Sequence, residues 1–232
     1  MKFSIVMGYF NRRTQFLKTL RTIHASSIPK SEYEIIVVDD GSDSCHDISD
    51  IVGITLIRIP RDKKTWVNPV VAYNLALTYA TGEWIIIQNP EVTHDDDFMK
   101  FLDERGDPNV YYCTQVFAEQ HGWYGHPEHR PCFYHFCSAI HTSKLQLIGG
   151  FNTDMKDGID YDDNEILERI KRVCIPEYAP IRGTHQWHPS FAYQRSDVNM
   201  LRHKNYIVYQ RTQMTPTLLY CDPHKVKEFI TL

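Results

Sequence analysis

The order of apolar segments in this 232-residue chain predicts an α/β fold, a mostly parallel central sheet flanked by helices and followed by a smaller β region. Three observations carry that expectation. Four runs within the first 90 residues are rich in β-branched side chains and too short for helices, the pattern of strands. Helical segments separate most of them, which lets neighbouring strands run the same way. The runs are apolar throughout instead of alternating with polar residues, as in strands covered on both faces.

"FSIVMGY" (3–9) is the first strand, and Asn11 is placed to cap a helix carrying Phe16, Leu17, Leu20 and Ile23 on one side. "YEIIVVDD" (33–40) is the second strand and "ITLIRI" (54–59) the third. Asn68 and Pro69 open a helix that runs through Ala80, proline costing nothing in a first turn where its N–H would lack a partner. Thr81-Gly82 closes that helix, and "EWIII" (83–87) is the fourth strand, leading into "QNPE". Further on, "VYYCTQVF" (110–117) and "CFYHFCSAIH" (132–141) read as strands. "NEILERIKRV" (164–173) reads as a helix, as does "VNMLRHKNYIVYQRT" (198–212), with Leu201, Tyr206 and Tyr209 among its apolar positions.

A composition of 42% hydrophobic and 23% charged residues, with no low-complexity tract, is that of a globular chain. The formal charge of −4 argues against non-specific nucleic-acid binding, which needs a basic surface. No apolar run approaches the roughly 20 residues of a membrane-spanning helix. The apolar part of "MKFSIVMGYFNRR" is too short for a signal peptide, so the expectation is a soluble cytoplasmic protein. Six scattered cysteines without a framework read as reduced thiols.

In parallel sheets of this kind, ligands bind beyond the carboxyl ends of the strands. That places Gly8–Arg12, Asp39–Ser42 and Gln88–Glu91 along one rim. "IVMGYFNR", "EIIVVDDGSD", "NLALTYATGEWIII" with its acidic tetrapeptide, "GGF" and "YDDNEILERI" follow one another over about residues 3–173. Together they resemble the large inverting glycosyltransferase family 2, whose members have the Rossmann-like GT-A fold. The resemblance implies a nucleoside diphosphate-sugar donor, a UDP-sugar first, a hydroxyl acceptor on a glycan or other molecule, and assistance from Mn²⁺ or Mg²⁺. It also implies one domain over 1–232, with a nucleotide-binding half (1–105), an acceptor and catalytic half (106–196) and a C-terminal helical tail (197–232).

Carried over residue by residue, the resemblance assigns Asp40, with Asp39 beside it, to the nucleobase or ribose. An ionised carboxylate only accepts hydrogen bonds, which suits an imide N–H. Gly8, Tyr9 and Phe10 fall where the family flanks the base, Arg12 faces the diphosphate, and Asn68 and Asn89 complete the nucleotide set. "QNPE" departs from the usual D-x-D: Asn89 stands at the first Asp and Glu91 at the second, where a hard oxygen ligand for the cation is kept. His185 and His188, in "RGTHQWHPS", match the late histidine that many GT-A enzymes give the metal, His185 being the first choice. Asp163 falls on the family's general base, with Asp162 preceding it.

Each motif has a plainer reading. "DDGS" suits an Asx turn, "QNPE" with "HDDD" suits a turn leading into a helix, and Asp162, Asp163 and Asn164 suit a helix start. The loop "HGWYGHPEHRPCFYHFC" (121–137) offers aromatic faces to an acceptor sugar. Its His121, His126, His129, Cys132, His135 and Cys137 also raise the alternative of a structural zinc site. A rival to the enzyme is a catalytically inactive member of the fold that binds a nucleotide or carbohydrate.

Overall fold

The computed structural model of the chain describes residues 1–189 and 192–230. The elements are β1 (Phe3–Tyr9), α1 (Arg13–His24), β2 (Tyr33–Asp39), β3 (Thr55–Arg58), α2 (Val70–Leu77), β4 (Trp84–Gln88), β5 (Val92–His94), α3 (Phe98–Arg105), β6 (Val110–Ala118), β7 (Gly122–Gly125), β8 (Cys137–His141), α4 (Thr142–Ile148), α5 (Asp162–Ile170), β9 (Ile175–His185) and α6 (Val198–Met214). One sheet runs β3-β2-β1-β4-β8-β6-β9-β5, with β7 paired to β6.

Strand direction decides where side chains are delivered. The strands β3, β2, β1 and β4 are parallel. β8 is antiparallel to β4 and β6 antiparallel to β8, so β6 points the same way as β1, and β9, parallel to β6, does too. The carboxyl ends of β1, β2, β4 and β9 therefore share one rim with the residues that precede β8. Pleating splits the apolar residues between two cores. Phe3, Ile5 and Met7 of β1 pack with Phe16, Ile23 and Phe98 on one face; Val6 joins Val71, Ala72, Ile166 and Ile170 on the other.

Several expectations are corrected. Asn11 does not cap α1: it lies at φ 51, and its amide bridges to the loop after β2, donating to Asp43 Oδ2 (2.7 Å) and accepting from the Asp43 N–H (2.9 Å). α2 ends at Leu77 rather than Ala80, where the Thr78 hydroxyl donates to the Leu75 carbonyl (2.8 Å). Only 137–141 of the segment 132–141 is strand, because the chain turns at Phe133 (φ 53) and the ladder with β4 begins at Cys137 opposite Gln88. The long β9 has no counterpart in the sequence reading, since Pro176 and Pro180 argue against a paired strand; a register shift opposite Cys113–Gln115 accommodates Pro180. None of the six cysteines is paired with another.

The tail is part of the fold. Leu201, Asn205 and Thr212 of α6 are buried, and Tyr206 and Tyr209 pack against Tyr161 at ring-centroid distances of 5.2 and 5.6 Å. Beyond α6, the Cys221 carbonyl accepts from the Gly150 N–H (2.6 Å) and Val226 is buried in the second core. The final two residues of the anticipated tail lie outside the described residues. Among the described residues no helix is long and apolar enough to cross a membrane.

Candidate active site

Two cavities of about 670 and 690 Å³ open on the shared rim, and Asn89, Glu91 and Asp163 line both. The first is cationic at one end, with Gly8, Phe10, Arg12, Asp40, Arg61, Lys64, Trp66 and Tyr73 in its wall. The second is aromatic, with Tyr124, Tyr134, Phe136, Tyr161, Trp187 and Tyr193. The acidic clusters after β2, after β4 and at the start of α5, far apart in the chain, thus face the same space.

Sheet register explains the cluster where the cavities meet. β5 pairs with the end of β9, Val92 opposite His185, and the Gln186 N–H donates to the Glu91 carbonyl (2.9 Å). Glu91 and His185 are brought together by that ladder, and one turn of loop adds His188. The His185 and His188 Nε2 atoms lie 3.7 and 3.4 Å from Glu91 Oε1. One ligand atom from each of the three falls within 4.8 Å of the others, the one such group among the described residues. Burial pushes the Glu91 carboxyl up, but His188, His185 and Arg12 outweigh it and hold the group ionised. Burial also pulls His185 down, which favours the neutral imidazole a metal requires. A carboxylate with two imidazoles fits a divalent cation, Mn²⁺ more readily than Mg²⁺. The histidines and cysteines of 121–137 form no such group among the described residues: Cys132 Sγ donates to the Tyr124 carbonyl (3.1 Å) and Cys137 Sγ turns into the core toward His94 (3.5 Å).

The start of α5 is reached through an unusual turn. Asp160 (φ 58) and Tyr161 (φ 61) both occupy the left-handed region, strained for non-glycine residues and found at functional sites. α6 holds the turn: Asn205 Nδ2 donates to the Asp160 carbonyl (2.9 Å) and Arg202 Nε to its carboxylate (2.6 Å). Asp163 Oδ1 then accepts from the His135 backbone N–H (3.0 Å), and the His135 Nδ1 lies 2.6 Å from the same oxygen. The Asp162 carboxylate accepts from Asn68 Nδ2 (3.2 Å). Two adjacent carboxylates are pushed in opposite directions. Burial and the Asp163 charge raise Asp162 to about 6, whereas His135 outweighs the burial of Asp163 and keeps its carboxyl below the usual range.

The other residues singled out from the sequence are distributed unevenly. Gly8, Phe10, Arg12 and Asp40 line the first cavity, whereas Tyr9, Asp39 and Asn68 stand behind its wall. Tyr9 is fully buried and its hydroxyl donates to the His46 carbonyl (2.6 Å). Asp39 accepts from the N–H of Ser42, three residues on (2.9 Å), and pairs with Arg58 (3.3 Å), so its carboxylate is taken up by the strand-end turn. The Asp40 carboxylate already accepts from Trp66 Nε1 (2.9 Å) and Lys64 Nζ. Arg61 and Lys64 lie over the Phe10 ring at 5.1 and 4.6 Å. Asn89 Oδ1 accepts from the Tyr73 hydroxyl (2.7 Å). Lys64, Trp66 and Tyr73 have no motif in the sequence to mark them. His135 stood out only as a possible zinc ligand.

The profile of glycosyl transferase family 2 matches residues 4–160, more than half of the chain. The chain belongs to that family. Solved structures with similar folds include S. aureus TarS 1–349 in complex with UDP-GlcNAc, 14% identical with a TM-score of 0.68, covering 99% of this chain and 70% of that one. The mannosyltransferase PcManGT from Pyrobaculum calidifontis, in complex with GDP-Man and Mn²⁺, is 16% identical with a TM-score of 0.63, covering 90% and 64%. GalNAc-T7 with UDP, GalNAc and Mn²⁺ is 14% identical with a TM-score of 0.64, covering 98% and 54%. The chain spans 38% of a longer TarS structure and 61% of TarS 1–349 bound to UDP. At these identities the likeness is one of fold, and the GT-A fold expected of a family 2 glycosyltransferase is the fold observed.

Proposed function

We propose that this chain is an inverting glycosyltransferase. It moves a hexosyl group from a nucleoside diphosphate-sugar, a UDP-sugar first, to a hydroxyl of a glycan or other acceptor, with Mn²⁺ or Mg²⁺. The observation that carries the reading is the meeting of a cationic and an aromatic cavity at Asn89, Glu91 and Asp163. The donor occupies the first cavity, its base near Phe10 and Asp40 and its diphosphate toward Arg12. The acceptor lies against the aromatic rings of the second. Complexes of UDP-GlcNAc and GDP-Man in proteins of the same fold support this reading.

Asp163 takes the proton of the acceptor hydroxyl, and the oxygen's electron pair forms the new bond to the anomeric carbon. Attack comes from the face opposite the departing diphosphate, so the carbon–oxygen bond to the phosphate breaks with its pair leaving on the phosphate and the configuration inverts. Glu91, His185 and His188 would hold the divalent cation, which when bound offsets negative charge on the leaving diphosphate. Arg12 adds positive charge on the same side. A member that binds nucleotide without turning it over is the second reading, favoured by the neutral Asn89 in place of an acidic residue. A panel of nucleotide-sugars with Mn²⁺, followed by NMR of the product's anomeric proton, separates the two. Transfer or slow donor hydrolysis with inversion is expected; nucleotide binding with no turnover on any donor would favour the inactive binder.

A further inference from the structure

We propose that His135 is a positioning residue for the base, an imidazolium that clamps one oxygen of Asp163 and leaves the other for the acceptor hydroxyl. The inference rests on the reading of Asp163 as the base. The residue preceding β8 by two is set at the rim because β8 runs antiparallel to β4, and the Phe136 carbonyl accepts from the Asn89 N–H (2.9 Å). That fixes the backbone at His135, whose own N–H donates to Asp163 Oδ1 (3.0 Å). Nδ1 of the same residue lies 2.6 Å from the same oxygen, an ion-pair contact without hydrogen-bond alignment, and it has no other polar partner. The main chain thus hydrogen-bonds one carboxylate oxygen while the imidazole of the same residue stands against it.

The imidazole itself cannot turn away. It is 5% exposed, with Tyr73 edge-on at 5.4 Å and Phe151 at 4.9 Å between ring centroids. His135 lines the cationic cavity alone, whereas Asp163 lines both, so the clamp approaches from the donor side and the aromatic cavity has access to the carboxylate. The arrangement follows the logic of a base oriented by a third group. Facing the imidazole are Asp162 and Asp163 from α5 and the Tyr73 hydroxyl-bearing ring from α2; Arg130 from the loop and Tyr111 and Cys113 from β6 act on Asp163. Burial opposes a charge on His135, and the two carboxylates outweigh it. In exchange the imidazole beside it holds the Asp163 carboxyl below the usual range, where burial pushes it up, as burial together with the Asp163 charge pushes up its neighbour Asp162. The cost is a weaker base, and the gain is a base that is always in the right protonation state and rotamer at neutral pH.

The test compares His135→Asn, whose amide nitrogen replaces Nδ1 without charge, with His135→Phe, which keeps ring packing alone. Transfer rates would be followed from pH 5 to 9 with a UDP-sugar and Mn²⁺, alongside nucleotide affinity. Both variants should move the acid limb of kcat upward by a pH unit or more, because Asp163 loses its cationic partner. His135→Asn should retain at least tenfold more turnover than His135→Phe, and the donor KM should change less than threefold in both. Acid limbs that coincide with wild type would overturn the proposal while leaving the base assignment intact. An active Asp163→Asn enzyme would instead remove the reading beneath it. Should either variant misfold, the wild-type imidazole ¹⁵N shifts decide alone: a His135 ring that stays doubly protonated above the usual imidazole range is expected, and one that loses its proton within or below that range contradicts the clamp.

Discussion

Removing Glu165 tests what holds α5, the helix that carries Asp163, in place. Arg169 is fully buried and Glu165 is 1% exposed. The guanidinium donates through Nε to Glu165 (3.0 and 3.2 Å), through Nη2 to Glu165 Oε2 (2.8 Å), and through Nη1 to the carbonyls of Ile148 (3.0 Å) and Gly150 (2.8 Å). Glu165 also accepts from Asn152 (3.3 Å) and from the Thr212 hydroxyl of α6 (3.0 Å). In Glu165→Ala the arginine keeps two neutral carbonyls and loses its counterion, and two further donors lose their acceptor. Breaking a buried pair from one side costs about 3–5 kcal/mol; the extra orphaned donors place this variant near 4–5 kcal/mol on that scale. At roughly 2–4 °C per kcal/mol for a chain of this size, Tm should fall by about 8–20 °C. Urea unfolding monitored by circular dichroism supplies the free energy. The double variant Glu165→Met/Arg169→Met should recover much of the loss, since no uncompensated charge remains. A single variant that costs less than about 1 kcal/mol would refute the view that this ion pair anchors α5.

Other outcomes concern the metal ligands and two buried titratable groups. Glu91→Gln should abolish stoichiometric Mn²⁺ binding measured by electron paramagnetic resonance, and His188→Ala should weaken it at least tenfold. Metal affinity in the wild type should fall in acid, as protons compete with the ion for its ligands, and the His185 imidazole, pulled down by burial, should give way only below the usual imidazole range. Asp162, raised from 3.8 to about 6, binds its proton more tightly folded than unfolded, so it lowers stability as pH rises through that window. Asp162→Asn should therefore stabilise the protein at pH 7.5, by about 1–2 kcal/mol once its contact with cavity water is allowed for. His94, pulled by burial from 6.5 to about 4, works in the opposite sense: the unfolded chain binds the extra proton, and stability is lost as pH falls from 6.5 toward 4. The wild type should lose about 3 kcal/mol more than His94→Gln across that interval.

What the sequence made legible follows from which interactions are local. β1, β2, β4 and the helices between them are written in short apolar runs and Gly-Thr punctuation, and each was found within a few residues. The start of α5 was readable because Asp162, Asp163, Glu165 and Arg169 act within one helix, three and four residues apart. The pairing of Glu91 with His185 and His188 was only half readable. Their residue types suggested a metal, but their meeting depends on the β5–β9 ladder, and β9 hides behind two prolines. Beyond β2, "DDGS" did mark a turn at a strand end, yet Lys64 and Trp66, which engage Asp40, lie 24 and 26 residues away with no pattern linking them. His135 was obscured for a similar reason: among so many histidines and cysteines, only the direction of β8 distinguishes the one that faces Asp163.

The central claim is that Asp163 serves as base between a bound donor and an incoming hydroxyl. Asp163→Asn tests it most directly, with donor affinity measured by calorimetry and transfer by single-turnover kinetics on the same preparation. The account predicts donor binding within about threefold of wild type and a rate lowered at least a hundredfold, the scale of a lost general base. An asparagine variant that transfers sugar at the wild-type rate would contradict it.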